Sequence, residues 1–222
     1  MTETRTKTVI PVQVFSDYTC PWCYIGTRRL ERLRKELAED PGHSPDVELD
    51  VRWEPFEIHP EVPADGMPVE DLGYPEERWK AMQEHLRVQA RQEGLEMGNR
   101  PKVSNTHEAL AASAWAQDEE SDRFPCFHRA LFRAYFTEGR DLGDREVILD
   151  VAGACGLPVS DLEEALEEGR YDPVLEETAR EARRAGITGT PSYVFDDRYL
   201  AVGAQPVERL RGVLDRALED RS

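Results

Sequence analysis

Cys20 and Cys23 flank Pro21 and Trp22 and form the one close pair among the four cysteines of the chain. Proline is favoured at the first position of a helix, where its missing N–H costs nothing, so Pro21 predicts a helix with Cys20 as its N-cap. A side chain at that position accepts hydrogen bonds from the N–H groups of Trp22 and Cys23, and a thiolate also gains from the positive helix end. The expected pKa of Cys20 lies below the usual value of about 8.5. Three-residue spacing puts both side chains on one face, within the roughly 4.4–6.8 Å between Cα atoms that a disulfide needs. The chemistry this pattern supports is thiol–disulfide exchange, with Cys20 attacking and Cys23, one turn inward, resolving the mixed disulfide. It calls for no metal and no organic cofactor. A zinc site would need a second Cys or His pair at ligand spacing, and neither Cys126 nor Cys155 supplies one. A pair of inert, buried cysteines is the bland alternative.

A second group, Gly189-Thr190-Pro191-Ser192, precedes a strand pair. Proline at a strand entrance occupies an edge or a special turn, although spacing alone does not establish a cis bond. The flanks of Cys126 and Cys155 look like helix core, so these two read as individual thiols, most simply small core hydrophobes. That reading assumes a reducing compartment. The N-terminus is polar, and the short apolar run after it meets no small-residue cleavage site, so no signal peptide is read and the cytoplasm is expected.

The elements that must position the dithiol follow from periodicity. Residues 9–16 are β-branched and apolar and read as a buried strand; Leu30, Leu33 and Leu37 then recur at helical spacing, with Asp40-Pro41-Gly42 as the stop. In residues 47–56, Val47, Leu49, Val51 and Trp53 alternate with charged residues, which predicts a second strand. Residues 59–75, rich in Pro and Gly, mark an excursion out of the sheet. Trp79, Met82, Leu86 and Ala90 form one helical stripe and Phe124, Phe127, Leu131 and Tyr135 another, both read as core. Helices over 105–116, 144–155 and 160–168 complete an all-helical insertion, and a helix over 173–185 ends at Gly186. Tyr193-Val194-Phe195, a turn at Asp196-Asp197 and residues 199–202 predict a hairpin, closed by a helix bearing Val207, Leu210, Leu214 and Leu218.

The chain has 222 residues, 39% of them hydrophobic and 33% charged, which is a globular composition. Its formal net charge of -17 repels phosphate backbones and anionic bilayers, so neither nucleic acid nor membrane is an expected partner. Acidic pairs such as Glu163-Glu164 and Glu176-Glu177 read as solvated helix faces. No stretch approaches the roughly 20 apolar residues of a membrane span.

Residues 17–26 (Asp-Tyr-Thr-Cys-Pro-Trp-Cys-Tyr-Ile-Gly), with Ser104-Asn105-Thr106, Gly186-Ile187-Thr188-Gly189-Thr190-Pro191 and Gly203-Ala204-Gln205, resemble the DsbA family of the thioredoxin superfamily, in its FrnE-like branch. The resemblance covers nearly the whole chain. It implies an α/β, thioredoxin-like fold interrupted by a large helical domain, with a cis proline at Pro191 opposite the dithiol. Thr190 and Pro191 are then expected to offer backbone groups to an extended substrate. With Trp22 and Asn105 they make the candidate substrate-binding set. Three departures stand out. Leu110 occupies a position where relatives often carry histidine. Val14 stands where thioredoxins and the periplasmic oxidases bury a carboxylate, while Asp17 reads as a turn residue. The Pro-Trp dipeptide lacks the histidine of strong oxidases, which implies a less oxidising dithiol.

The expected division is a thioredoxin-like core over 1–60 and 173–222 around a helical domain over 61–172. The expected activity is disulfide oxidoreduction or isomerisation on protein or small-molecule disulfides, with glutathione as a possible co-substrate or a thioredoxin-type reductant as partner. Two other readings compete. Glutathione-dependent transferases of the kappa type and 2-hydroxychromene-2-carboxylate isomerases share the architecture but usually lack the second cysteine. A polypeptide-binding module without turnover is the third.

Overall fold

A computed structural model describes residues 7–39, 47–98, 100 and 102–221. In chain order the elements are β1 (Thr8–Ser16), α1 (Pro21–Glu39), β2 (Val47–Pro55), β3 (Met67–Pro68), a short 3-10 helix (Val69–Leu72), α2 (Glu76–Gln92), β4 (Lys102–Val103), α3 (His107–Glu119), α4 (Phe124–Phe136), α5 (Arg145–Ala154), α6 (Val159–Glu167), α7 (Asp172–Arg184), β5 (Ser192–Phe195), β6 (Tyr199–Val202) and α8 (Val207–Glu219). The sequence-read stop at Asp40-Pro41-Gly42 lies outside the described residues.

Apolar alternation places β1 inside a four-stranded sheet of order β2-β1-β5-β6, parallel to β2 and antiparallel to β5. Pro11 is tolerated in this inner strand because the β5 pairing begins only at Val12, and its carbonyl accepts the Asp196 N–H at 2.9 Å. Asp196 and Asp197 both take φ of 53°, left-handed backbone that turns the chain in the three-residue loop between the partners Phe195 and Tyr199. Ile10, Val12 and Val14 pack with Leu30 and Leu33 of α1 and Leu210 and Leu214 of α8 on one sheet face. Phe15 meets Ala182 and Ile187 on the other.

The first half of α1 belongs to a different core. Cys23, Tyr24 and Ile25 pack among the helices inserted between β2 and β5. Tyr24 stacks on Phe132 and Phe136 of α4, with ring centroids 5.3 and 5.5 Å apart. A single helix therefore carries the dithiol at the junction of sheet core and helical core. Among the described residues, the regular structure of the insertion is helical apart from the two-residue ribbon Met67–Pro68/Lys102–Val103, which is too short to leave a period in the sequence.

Two sequence readings need correction. The α4 stripe is core, but of the α2 stripe only Leu86 and Ala90 are buried, and Trp79 and Met82 form the wall of a cleft. A helix lining a cleft needs an apolar face as a buried helix does, so periodicity cannot separate them. Cys126 and Cys155 are not separate thiols. They form a disulfide between α4 and the end of α5, with Cα atoms 5.8 Å apart across a sequence separation of 29. Sequence spacing carries no information about a contact made by packing two helices.

Because this bridge closes a loop of that length, its loss should lower stability by about 3 kcal/mol through the entropy of the unfolded chain. Chemical denaturation of the double variant Cys126→Ser/Cys155→Ser checks this, and an unchanged midpoint would contradict it.

Candidate active site

Cys20 immediately precedes α1, and its carbonyl accepts the Cys23 N–H at 3.0 Å, as an N-cap does. Both thiols are free. Their environments differ in a way that sets their roles. Cys23 is fully buried, and burial first, then the neighbouring Cys20, pushes its pKa well up, against the Ser16 and Thr190 hydroxyls. Cys20 reaches the cleft, and its pKa is lowered chiefly by the hydrogen bond from the Cys23 thiol, with Thr190 and the Cys23 N–H adding to it against burial and the charge of Asp17. Of the two thiols, Cys20 is therefore the one that ionises more readily.

The Thr190–Pro191 bond is cis, and Cys20 Sγ lies 3.5 Å from the Thr190 carbonyl oxygen, to which it donates only while protonated. Pro191 is held above α1 by a close approach at Gly26, one turn beyond Cys23. A Cβ there would overlap the Tyr193 hydroxyl and come within 2.9 Å of Pro191 Cγ. The Tyr193 hydroxyl is buried without a hydrogen-bond partner among the described residues, on the segment that covers the dithiol.

The loop before Cys20 is fixed by Asp17, read from sequence as a turn residue. Its buried carboxylate accepts from the Thr19 N–H and hydroxyl, both at 2.8 Å, from the Ile58 N–H at 2.9 Å and from the Thr106 hydroxyl at 3.2 Å. Burial nonetheless raises its pKa. Behind it, the Tyr18 hydroxyl bonds Ser113 at 2.6 Å and His128 Nδ1 at 2.8 Å. Burial, with Arg129 nearby, lowers the His128 pKa to about 3 and keeps the ring neutral. Leu110 borders the same small space, so this layer does hold a histidine, contributed by α4. Val14 pairs with Trp53 and Tyr193 in the sheet and leaves no carboxylate at that strand position.

Of the candidate substrate contacts, Trp22 lines a cleft of about 490 Å³ with Thr19, Cys20 and Pro21, and its ring lies 5.5 Å from that of His85. Thr190 and Pro191 lie over the dithiol but are largely covered. Asn105 sits elsewhere: its amide donates to the Val62 carbonyl at 2.7 Å and its oxygen accepts the His107 N–H at 3.0 Å, tying the start of α3 to the loop after β2. The cleft wall adds residues that sequence reasoning passed over, among them His59, Tyr74 and Arg100, which lie in irregular segments without a periodic signature.

A family model for the DSBA-like thioredoxin domain matches residues 11–215. The chain belongs to this family. The DsbA-like chain is 27% identical over 213 residues to the Bacillus subtilis protein YwbO, covering 95% of this chain and 96% of that one. It superposes on the probable DsbA oxidoreductase SCO1869 of Streptomyces coelicolor with a TM-score of 0.82 and 29% identity, covering 96% and 92% of the two chains. The cytosolic disulfide reductase DsbM of Pseudomonas aeruginosa, in a structure with GSH, shares the fold at a TM-score of 0.66 and 20% identity, over 94% and 99%.

In this DsbA-like site the alkylation rate of Cys20 should titrate with a midpoint below about 8.5, and Cys23→Ala should move it upward by removing the principal donor. A midpoint indifferent to Cys23 would sink this assignment. Gly26→Ala should cost about 1–3 kcal/mol by overpacking. It should also slow Cys20 alkylation by displacing Pro191, and adding Tyr193→Phe should recover part of both losses.

Proposed function

We propose that the chain is a thiol–disulfide oxidoreductase working through Cys20 and Cys23 on protein or small-molecule disulfides. The observation that carries this is the asymmetry of the pair: a low-pKa thiol at a helix N-terminus facing a cleft, with a sealed, proton-holding partner one turn behind it. The Cys20 thiolate attacks one sulfur of a substrate disulfide, and the other sulfur leaves as a thiolate that takes up a proton. Cys23, giving up its proton, then attacks the Cys20 sulfur, closing the Cys20–Cys23 disulfide and releasing the second substrate thiol. The dithiol loses two electrons and the substrate disulfide gains them; the reverse sequence oxidises a substrate dithiol.

Trp22, Thr190 and Pro191 are proposed as the substrate contacts, the last two through backbone pairing. Asn105 is proposed only to position α3, given its bonds to Val62 and His107. The motif over residues 17–26 supports a place in the FrnE-like branch. Glutathione is a candidate co-substrate, supported by the shared fold of DsbM, whose structure contains GSH. For the compartment, two observations pull apart. The cytosolic DsbM supports the cytoplasm, whereas an exposed disulfide at Cys126 is the kind that reducing compartments rarely keep. Among the described residues no helix is long and apolar enough to cross a membrane.

Equilibrium titration in a glutathione redox series, read by thiol alkylation, should show a two-electron transition of Cys20 and Cys23 that disappears in Cys20→Ser. A pair that stays reduced across the whole series would end the oxidoreductase reading.

A further inference from the structure

Arg100 lines the cleft that holds Cys20. Its guanidinium lies 4.5 Å from the centre of the Phe136 ring and 5.7 Å from that of Tyr135, so two aromatic faces hold it in place. Burial lowers its pKa and the Tyr135 hydroxyl partly offsets this, but an arginine keeps its proton. Among the described residues no carboxylate pairs with it. The buried Arg29, by contrast, is paired with Glu93 at 2.8 Å, and Arg52 and Arg145 are paired with Asp118 at 3.0 Å and Glu108 at 2.5 Å.

The cleft around Arg100 has the charge balance of an anion site. Arg87 also lines it, against one carboxylate, Glu70, while His59 in the same wall is bonded to Glu61 at 3.1 Å. Its volume of about 490 Å³ falls in the range of small-molecule pockets, roughly 300–1,000 Å³. A guanidinium presents a planar fork of donors that fits a carboxylate bidentately, and partial burial strengthens such a pair over one in open water. Arg100 is also close enough to the reactive thiol for the charge of Cys20 to favour its protonated form.

We infer that Arg100 is a carboxylate-binding residue and that the cleft takes small disulfides bearing a carboxylate on the arm attached to sulfur. The inference deepens, and rests on, the oxidoreductase reading. In the exchange the carboxylate remains unchanged; Arg100 anchors it while the Cys20–sulfur bond forms and the substrate sulfur–sulfur bond breaks. General electrostatics predicts the contrary order of reactivity, because a net charge of -17 and a Cys20 thiolate both repel anions.

The test uses the reduced full-length protein and three symmetric disulfides of similar size: anionic 3,3′-dithiodipropionate, neutral bis(2-hydroxyethyl) disulfide and cationic cystamine. Second-order rate constants for oxidation of the dithiol should favour the anion over the neutral compound by about tenfold or more, the scale of one hydrogen-bonded charge pair. In Arg100→Gln this ratio should fall to one or below, and Arg100→Lys should keep part of it; thermal melts of both variants confirm folding. Equal rates for the three compounds, the order expected from net charge, or an anion preference that survives Arg100→Gln would each overturn the inference. So would failure of all three to react with a dithiol that still titrates against glutathione. A dithiol that shows no redox transition at all would instead overturn the reading beneath it.

Discussion

The approach of α1 to the cis-proline segment at Gly26 is the constraint on which the rest of the site depends. Backbone at Gly26 meets the Pro191 ring and the Tyr193 hydroxyl with no room for a methyl group. That contact seals Cys23 and leaves Cys20 at the cleft, next to the Thr190 carbonyl. From behind, Tyr24 is stacked on Phe132 and Phe136, and from the side Arg29 is buried against Glu93, Gln89 and the Ala204 carbonyl. The helix carrying the dithiol is thus gripped by the sheet, the inserted helices and the loop after β6 together. Two cores share one helix, and the reactive cysteine sits where they meet.

The asymmetry of the thiols follows from that grip. Both groups are cysteines of the same chain segment, yet desolvation acts on Cys23 without relief, while Cys20 has the hydrogen-bond donors of the helix end and of Cys23 itself. Asp17 works against the Cys20 thiolate by its charge, but it is committed to four hydrogen bonds that hold the loop entering α1 and the start of α3. It is a carboxylate used to set geometry. With Val14 in the strand beneath, the polar groups that ease ionisation of Cys23 are the hydroxyls of Ser16 and Thr190.

The inserted helices do more than enlarge the core. They carry His128, which braces Tyr18 behind the dithiol loop, and the aromatic shelf under Arg100. The Cys126–Cys155 bridge ties α4, the source of both, to the end of α5. The helix that shapes the rear of the active site is thereby fixed covalently in its first turn, two residues from His128.

The sequence by itself picked out the close cysteine pair and determined the segmentation into strand, helix, strand, helical insertion, helix, hairpin and helix. These are local matters: proline at a helix start, a three-residue spacing, alternation against a 3.6-residue period, and aspartates that tolerate left-handed backbone. The resemblance of residues 17–26 and 186–191 to the DsbA family added the cis proline. Tertiary structure alone decided what depends on pairs distant in the chain. Spacing could not show that Cys126 and Cys155 meet, that Trp79 and Met82 face a cleft while Ala90 faces a core, or that Asn105 turns away from the dithiol toward Val62. Arg100 was equally silent, since an arginine in an irregular segment looks like any solvated cation until the rings beneath it and the missing carboxylate are seen. Periodicity reports that a face is apolar; only packing decides what that face meets.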